Sequence, residues 1–212
     1  MRIHYKKTKL MVFNPCWTLD FMPEFEFGAD QLELAEELRL LGVIVRSDMK
    51  WNSNTDDIVK RASNKLWVIR RLKGLGAQPE QLVDMFIKQC RSILEFAAPA
   101  WHGAITMTER QDIERVQKVA LHIILGDKYD SYRNALKVTN LETLETRRDR
   151  LCLKFGKKAE KNSKHKNWFK LKHRTLTRQE DTKYCKTIAR TGRLKKSPIP
   201  HITELLNKHY QK

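Results

Sequence analysis

The chain has 212 residues, 41% of them hydrophobic and 32% charged, enough to bury a core in one or two compact units and too apolar for wholesale disorder. No apolar run approaches the ~20 residues that span a bilayer, and the start shows no signal-peptide pattern. The cysteines Cys16, Cys90, Cys152 and Cys185 form no C-x-x-C pair, which argues against a zinc knuckle.

A reduced compartment, cytoplasmic or nuclear, is the expectation, with Cys90 and Cys152 as small buried groups in helical patterns. The formal net charge of +17 is unevenly spread. From Glu145 to Lys212 there are 21 Lys/Arg against 6 Asp/Glu, a surplus of +15, whereas the first 144 residues carry +2. Such a basic block attracts phosphate backbones through counterion release, without sequence preference. An anionic membrane would attract it too. No strongly amphipathic anchor accompanies the block, so nucleic acid is the expected partner and a membrane is not.

In chain order, Leu10–Phe13 suits a short strand stopped by Asn14-Pro15. Residues 15–37 hold Phe21, Pro23, Phe25, Phe27 and Gly28 and read as loop or edge strand, with an acidic hairpin or short helix over 31–37. Leu38–Val45 reads as a buried strand with Gly42 inside it, at a bulge or a close backbone approach. A turn over Ser47–Lys50 and then Trp51 follow. Asn54 or Thr55 opens a helix that runs to about Lys73 and stops at Gly74. Ile58, Ala62, Leu66 and Ile69 form its buried stripe. Lys60, Asn64, Trp67 and Arg71 lie on the opposite face at i, i+4, i+7 and i+11. A tryptophan among basic groups is unusual on a purely solvated face; it suits a nucleic-acid backbone, or packing against a neighbouring element. Asp56-Asp57 reads as carboxylates that cap a helix start.

Gln78-Pro79-Glu80 starts the next helix, which buries Leu82, Phe86, Ile93 and Leu94 and ends near Ala98-Pro99. Trp101 and His102 fall in the break, His102 as a lone histidine without a ligand role. Thr108 with Gln111 reads as a capping box. Behind it Ile113, Val116, Ala120, Ile123 and Ile124 share one face, Arg115, Lys118 and His122 the other, and Gly126 ends the helix. Three helices with short connections predict a small bundle. Ser131 caps a short helix through Leu136. Asn140 starts another, in which Leu141, Leu144, Leu151 and Phe155 share a face and Arg147, Arg148 and Arg150 sit. From about Lys157 the pattern fades into a basic, partly flexible tail with Trp168 and Phe169 among Lys161, Lys164, Lys166, Lys170 and Lys172. His165 and His173 are too scattered there for a metal site. Ile202–Tyr210 predicts a last short helix. The expected fold is mostly α with a small N-terminal β part (α+β): strands or hairpins over 1–53, a three-helix bundle over 54–126, a helical extension over 127–156 and the tail over 157–212.

Two runs carry a family resemblance. Leu94, Glu95, Phe96, Ala97, Pro99 and Trp101 come first, then Ile113, Glu114, Val116, Gln117, Lys118, Ala120 and Leu121. In order and spacing they resemble the region behind the polymerase core in reverse transcriptases of non-LTR (LINE-type) retrotransposons. That family often shows Leu-Glu-Tyr/Phe-Ala-x-Pro-x-Trp, then Leu/Ile-Glu-x-Val-Gln-Lys-x-Ala-Leu. Upstream, Lys7 and Thr8 match the palm's Asn-x-x-Lys-Thr, with His4 where Asn is usual. Leu40–Val43 matches the Tyr-Leu-Gly-Val/Ile strand of the primer-grip hairpin, with Leu40 replacing the aromatic. The resemblance covers about residues 1–155 and is strongest from Leu38 to Phe155.

It implies the last palm strands, the primer grip, the thumb and a basic extension of an RNA-directed DNA polymerase, with an RNA–DNA hybrid as partner. The candidate nucleic-acid-binding residues are Lys7, Gly42, Lys60, Asn64, Trp67, Arg71, Arg115, Lys118, Arg147 and Arg148. By resemblance Lys7 is the lysine that assists the leaving pyrophosphate. The family holds Mg on an aromatic-x-Asp-Asp hairpin because phosphoryl transfer needs paired carboxylates on the metals. Here Asn54 stands two before Asp56, in no strand pattern, and no other carboxylate pair replaces the motif. No catalytic residue, metal ligand, cofactor or small-molecule substrate is expected, and the chain alone is expected not to polymerise. Two other classes stay open. One is a retained helical, basic nucleic-acid-binding module. The other is a decayed relic whose palm strands have lost their partners.

Overall fold

A computed structural model describes residues 8–13, 26–27, 30–172 and 182–211. The chain is mostly helical with a small β part, and it divides into two compact units, Met1–Asp56 and Asp57–Lys212.

The first unit contains three two-stranded sheets among its described residues. Strand β1 (Lys9–Leu10) pairs in parallel with β4 (Glu33–Leu34), and β2 (Glu26–Phe27) pairs antiparallel with β3 (Asp30–Gln31). The expected strand over 10–13 is shorter than its apolar run, and Phe13 stays exposed. Strands β5 (Glu37–Leu40) and β6 (Val43–Arg46) form a hairpin in register Leu40↔Val43. The single buried strand expected over 38–45 is therefore two half-exposed strands folded at Leu41-Gly42. Leu41 at φ 48 and Gly42 at φ 88 both lie in the left-handed region, as the favoured two-residue hairpin turn requires. Gly42 supplies a turn here, not a bulge within a strand.

Helix α1 (Asn52–Gly74) begins in the first unit and runs on into the second. It starts two residues before the expected cap. Asn54 and Thr55 are buried within it, and the Asn54 side-chain carbonyl accepts from the Ile44 N–H at 3.1 Å. Ile58, Ala62, Leu66 and Ile69 are buried as expected.

In the second unit α2 (Pro79–Phe86) has proline at its first position and a Gln78/Gln81 capping box. A π turn over Ile87–Arg91 joins it to α3 (Ser92–Glu95). Ala97, at φ 50, breaks the helix, and α4 (Ala98–Trp101) is one further turn. Trp101 is thus helical and fully buried, its indole N–H donating to Phe96 O at 2.9 Å. Helix α5 (Met107–Leu125) is capped by Thr106 with Glu109, not by Thr108 with Gln111. Both pairs satisfy the capping-box spacing; in the one that forms, the Glu109 carboxylate accepts from the Thr106 N–H at 2.6 Å, a charge-assisted bond that a Gln111 amide would not supply. Helix α6 (Tyr132–Val138) is capped by Ser131 as expected. Asn140 does not start the next helix: at φ 52 it terminates α6, in the left-handed role usually given to glycine. Helix α7 (Leu144–Lys161) starts from Thr143 and packs against α3, α4 and α5.

The buried face of α7 is Leu144, Arg148, Cys152, Gly156 and Ala159. Of the expected face only Leu144 is fully buried: Leu141 precedes the helix, Leu151 is half-buried and Phe155 is 39% exposed. The described part of the tail is also ordered. After α8 (Gly192–Lys195), α9 (Pro198–Tyr210) packs along α7, and Ile202 and Leu206 join Cys152, Ala159, Phe169 and Tyr184 in a second core. Buried Asn207 clamps the Tyr184 backbone from both sides, accepting from its N–H at 2.9 Å and donating to its carbonyl at 3.0 Å.

Candidate nucleic-acid interface

Lys60, Asn64, Trp67 and Arg71 share the solvent face of α1, and Trp67 is 59% exposed. The 3.6-residue period places them there because the apolar stripe at 58, 62, 66 and 69 claims the other side. At its C-terminal end α1 meets the end of α5: Lys73 Nζ donates to the Ile123 carbonyl at 2.6 Å, a cation on the negative end of a helix. Arg70, Lys73 and His122 thereby line one shallow depression.

Arg115 and Lys118 lie on the exposed face of α5, with Lys118 Nζ 5.2 Å from the centroid of the Tyr132 ring. Gly42 belongs to the β5–β6 hairpin of the first unit, and Lys7 lies outside the described residues.

Arg147 and Arg148 are consumed by the fold. Arg147 donates twice to Glu95, at 2.8 and 3.0 Å. Arg148 is fully buried: its Nε–H donates to His102 Nδ1 at 3.0 Å, and its guanidinium lies 5.8 Å from the Trp101 ring centre. Arg148, fully buried, is thus withdrawn from the candidate interface, and Arg147 is a half-buried partner of Glu95.

The residues that carry the family resemblance are scaffold too. Glu95 holds Arg147 and lies 3.7 Å from Arg91, and Trp101 fills the core. Glu114 accepts from the Tyr132 hydroxyl and from the Leu144 N–H, and buried Gln117 donates to Tyr132 Oη and the Glu142 carbonyl. Gln117 was hidden from an apolar-pattern reading because its burial rests on these bonds.

His102 is not lone. Its Nε2 lies 3.1 Å from Asp149 Oδ1, and His201 Nε2, from α9, lies 3.3 Å from the same oxygen. The three ligand atoms fall within 4.8 Å of one another, a spacing that fits a metal ion. The protons argue otherwise. An arginine Nε–H can only donate, so His102 Nδ1 is an acceptor and the neutral ring carries its proton on Nε2, aimed at Asp149. In that tautomer Nε2 offers a metal no lone pair; His102 donates to Asp149 and so ties the end of α4 to α7, while His201 of α9 adds a 3.3 Å contact without a hydrogen bond. Burial, aided by the charge of Arg148, lowers the His102 pKa. Burial alone would raise that of Asp149, but the bond from His102 and the nearby His201 hold it far below the usual carboxylate range. Asp56-Asp57 lies in the second turn of α1, with Asp57 paired to Arg61 at 3.2 Å, and no hairpin surrounds it.

No family model, no curated protein and no solved structure matches this chain. No helix among the described residues is long and apolar enough to cross a membrane.

Proposed function

We propose that this chain is the thumb-side part of a non-LTR retrotransposon reverse transcriptase, holding template–primer nucleic acid with no catalytic centre of its own. The free face of α1 carries the proposal. A tryptophan 59% exposed, flanked on its own face by Lys60, Asn64 and Arg71, offers a ring and two cations to a sugar–phosphate backbone. The resemblance supplies the hybrid as the duplex held. The two resembling runs build the packed junction of α3, α4, α5 and α7, which supports a retained scaffold rather than retained chemistry.

The test is the affinity of the whole chain for a short RNA–DNA hybrid. Trp67→Ala is expected to weaken it about tenfold, the cost of one stacking or cation-assisted aromatic contact, with the melting temperature unchanged because Trp67 is exposed. Unaltered affinity would remove α1 from the interface.

A further inference from the structure

The second unit carries a groove far from the exposed face of α1 in chemistry. Pro99, Phe155, Trp168, Leu194, Pro198 and Ile199 are among the residues that line a hollow of about 790 Å³. Four of these walls are half-exposed: Phe155 39%, Trp168 40%, Leu194 47% and Ile199 37%. An apolar hollow this open marks a binding surface.

We propose that this groove between α4, α7 and the α8–α9 turn binds the unpaired bases of single-stranded nucleic acid. Two observations select that occupant over an apolar peptide. The first is the ring arrangement. Trp168 lies 6.4 Å from Phe155 with planes 31° apart, and 4.3 Å from His165 with planes 39° apart. Trp168 and Phe155 are both more than a third exposed at the groove wall, so a base that enters there meets aromatic surface. The second is the charge around it. Residues 161–172 carry five lysines and residues 182–203 six Lys/Arg, and neither stretch has an Asp or Glu. Lys154 and Lys158 on α7, Lys170 beside Phe169, Arg193 and Lys195 on α8, and Lys196 just after it are all exposed. Stacking rings on elements that also carry exposed cations are how single strands are held without sequence preference. The walls are nearly all hydrocarbon, so base edges would stay in water and go unread.

The probe is a fluorescein-labelled oligouridylate titrated with the whole chain, beside an RNA–DNA hybrid of equal length. Trp168→Leu keeps the apolar volume and removes the ring. It is expected to weaken single-strand binding about tenfold, within the range for one stacked base, and to leave hybrid binding unchanged. Trp168→Phe should restore most of the loss. Leu194→Glu, at an exposed wall of a short helix, places a carboxylate in the groove without touching the core. It must weaken the same binding and keeps the test open if Trp168→Leu fails to fold. Trp67→Ala should leave oligouridylate binding intact, so the two proposals fail separately. The inference is overturned if Trp168→Leu and Leu194→Glu both leave oligouridylate affinity unchanged, or weaken strand and hybrid equally. It is also overturned if an apolar dye seated in the groove is displaced by an amphipathic peptide but not by the oligonucleotide.

Discussion

Arg148 shows what a single residue can cost and return in this fold. Its Nη1 and Nη2 are buried without an acceptor among the described residues, and burial pulls the guanidinium pKa down to about 10. Against that stand the bond to His102 Nδ1, the Trp101 face, and attraction to Glu114 and Glu145. The arginine sets the His102 tautomer, and the tautomer sets the bond to Asp149. The chain of bonds has a pH sign. His102 titrates below its ordinary ~6.5 when folded, so the unfolded chain binds more protons just under that value. Its contribution is complete above about pH 6.5 and is lost as the pH falls. Asp149, also depressed, adds a loss in the same direction below its unfolded value of about 3.9. The melting temperature should therefore drop between about pH 7 and pH 5 more steeply in the native chain than in His102→Gln, which starts lower but has nothing to titrate there. Parallel curves would show that these bonds do not govern acid stability.

Among the elements, α7 is the hub, and at Gly156 α9 packs directly against it. A Cβ on Gly156 would stand 2.6 Å from Ile202 Cγ2 and 3.2 Å from Leu206 Cδ1. Gly156→Ala should gain about 1 kcal/mol of helix propensity and lose roughly 1–3 kcal/mol to overpacking. The net expectation is destabilisation with faster amide exchange across α9, and slower exchange would mean that α9 is not docked there. The same helix explains what was legible in the sequence. The faces of α1 and α5 follow from their apolar periodicity, and the caps of α2 and α6 from single residues. The buried face of α7 does not follow, because two of its five members are an arginine and a glycine. Their burial depends on partners remote in sequence: His102 lies 46 residues from Arg148, and Glu95 lies 52 from Arg147. The docking of α9 was illegible for the same reason, its core being assembled from Cys152, Phe169, Tyr184 and Ile202. The hairpin at Leu41-Gly42 was missed because a continuous apolar run hid a two-residue turn. Of the candidate interface, the α1 stripe was readable from spacing, whereas the Arg147–Glu95 pair required the third dimension.

At the scale of the whole molecule, charge distinguishes the two proposed kinds of binding. The +15 surplus of residues 145–212 is not neutralised from within. Glu145 is occupied by Arg110, Asp149 by His102 and Glu160 by Lys183 and Tyr210, so the exposed lysines of α7 and α8 face solvent with few carboxylates near them. The first 144 residues carry +2, with cations such as Arg46, Arg61 and Lys88 paired locally. A diffuse polycation and the two proposed sites predict different salt behaviour. Each phosphate neutralised contributes about −0.7 to the slope of log affinity against log salt for a single strand and about −0.9 for a duplex. Lys195→Gln with Lys196→Gln should therefore flatten the single-strand slope by about 1.4 and barely move that of the hybrid. Lys60→Gln with Arg71→Gln should flatten the hybrid slope by about 1.8 and spare the single strand. If each pair flattened both slopes equally, the charge would act as one undirected field, and neither the α1 face nor the aromatic groove would be a site.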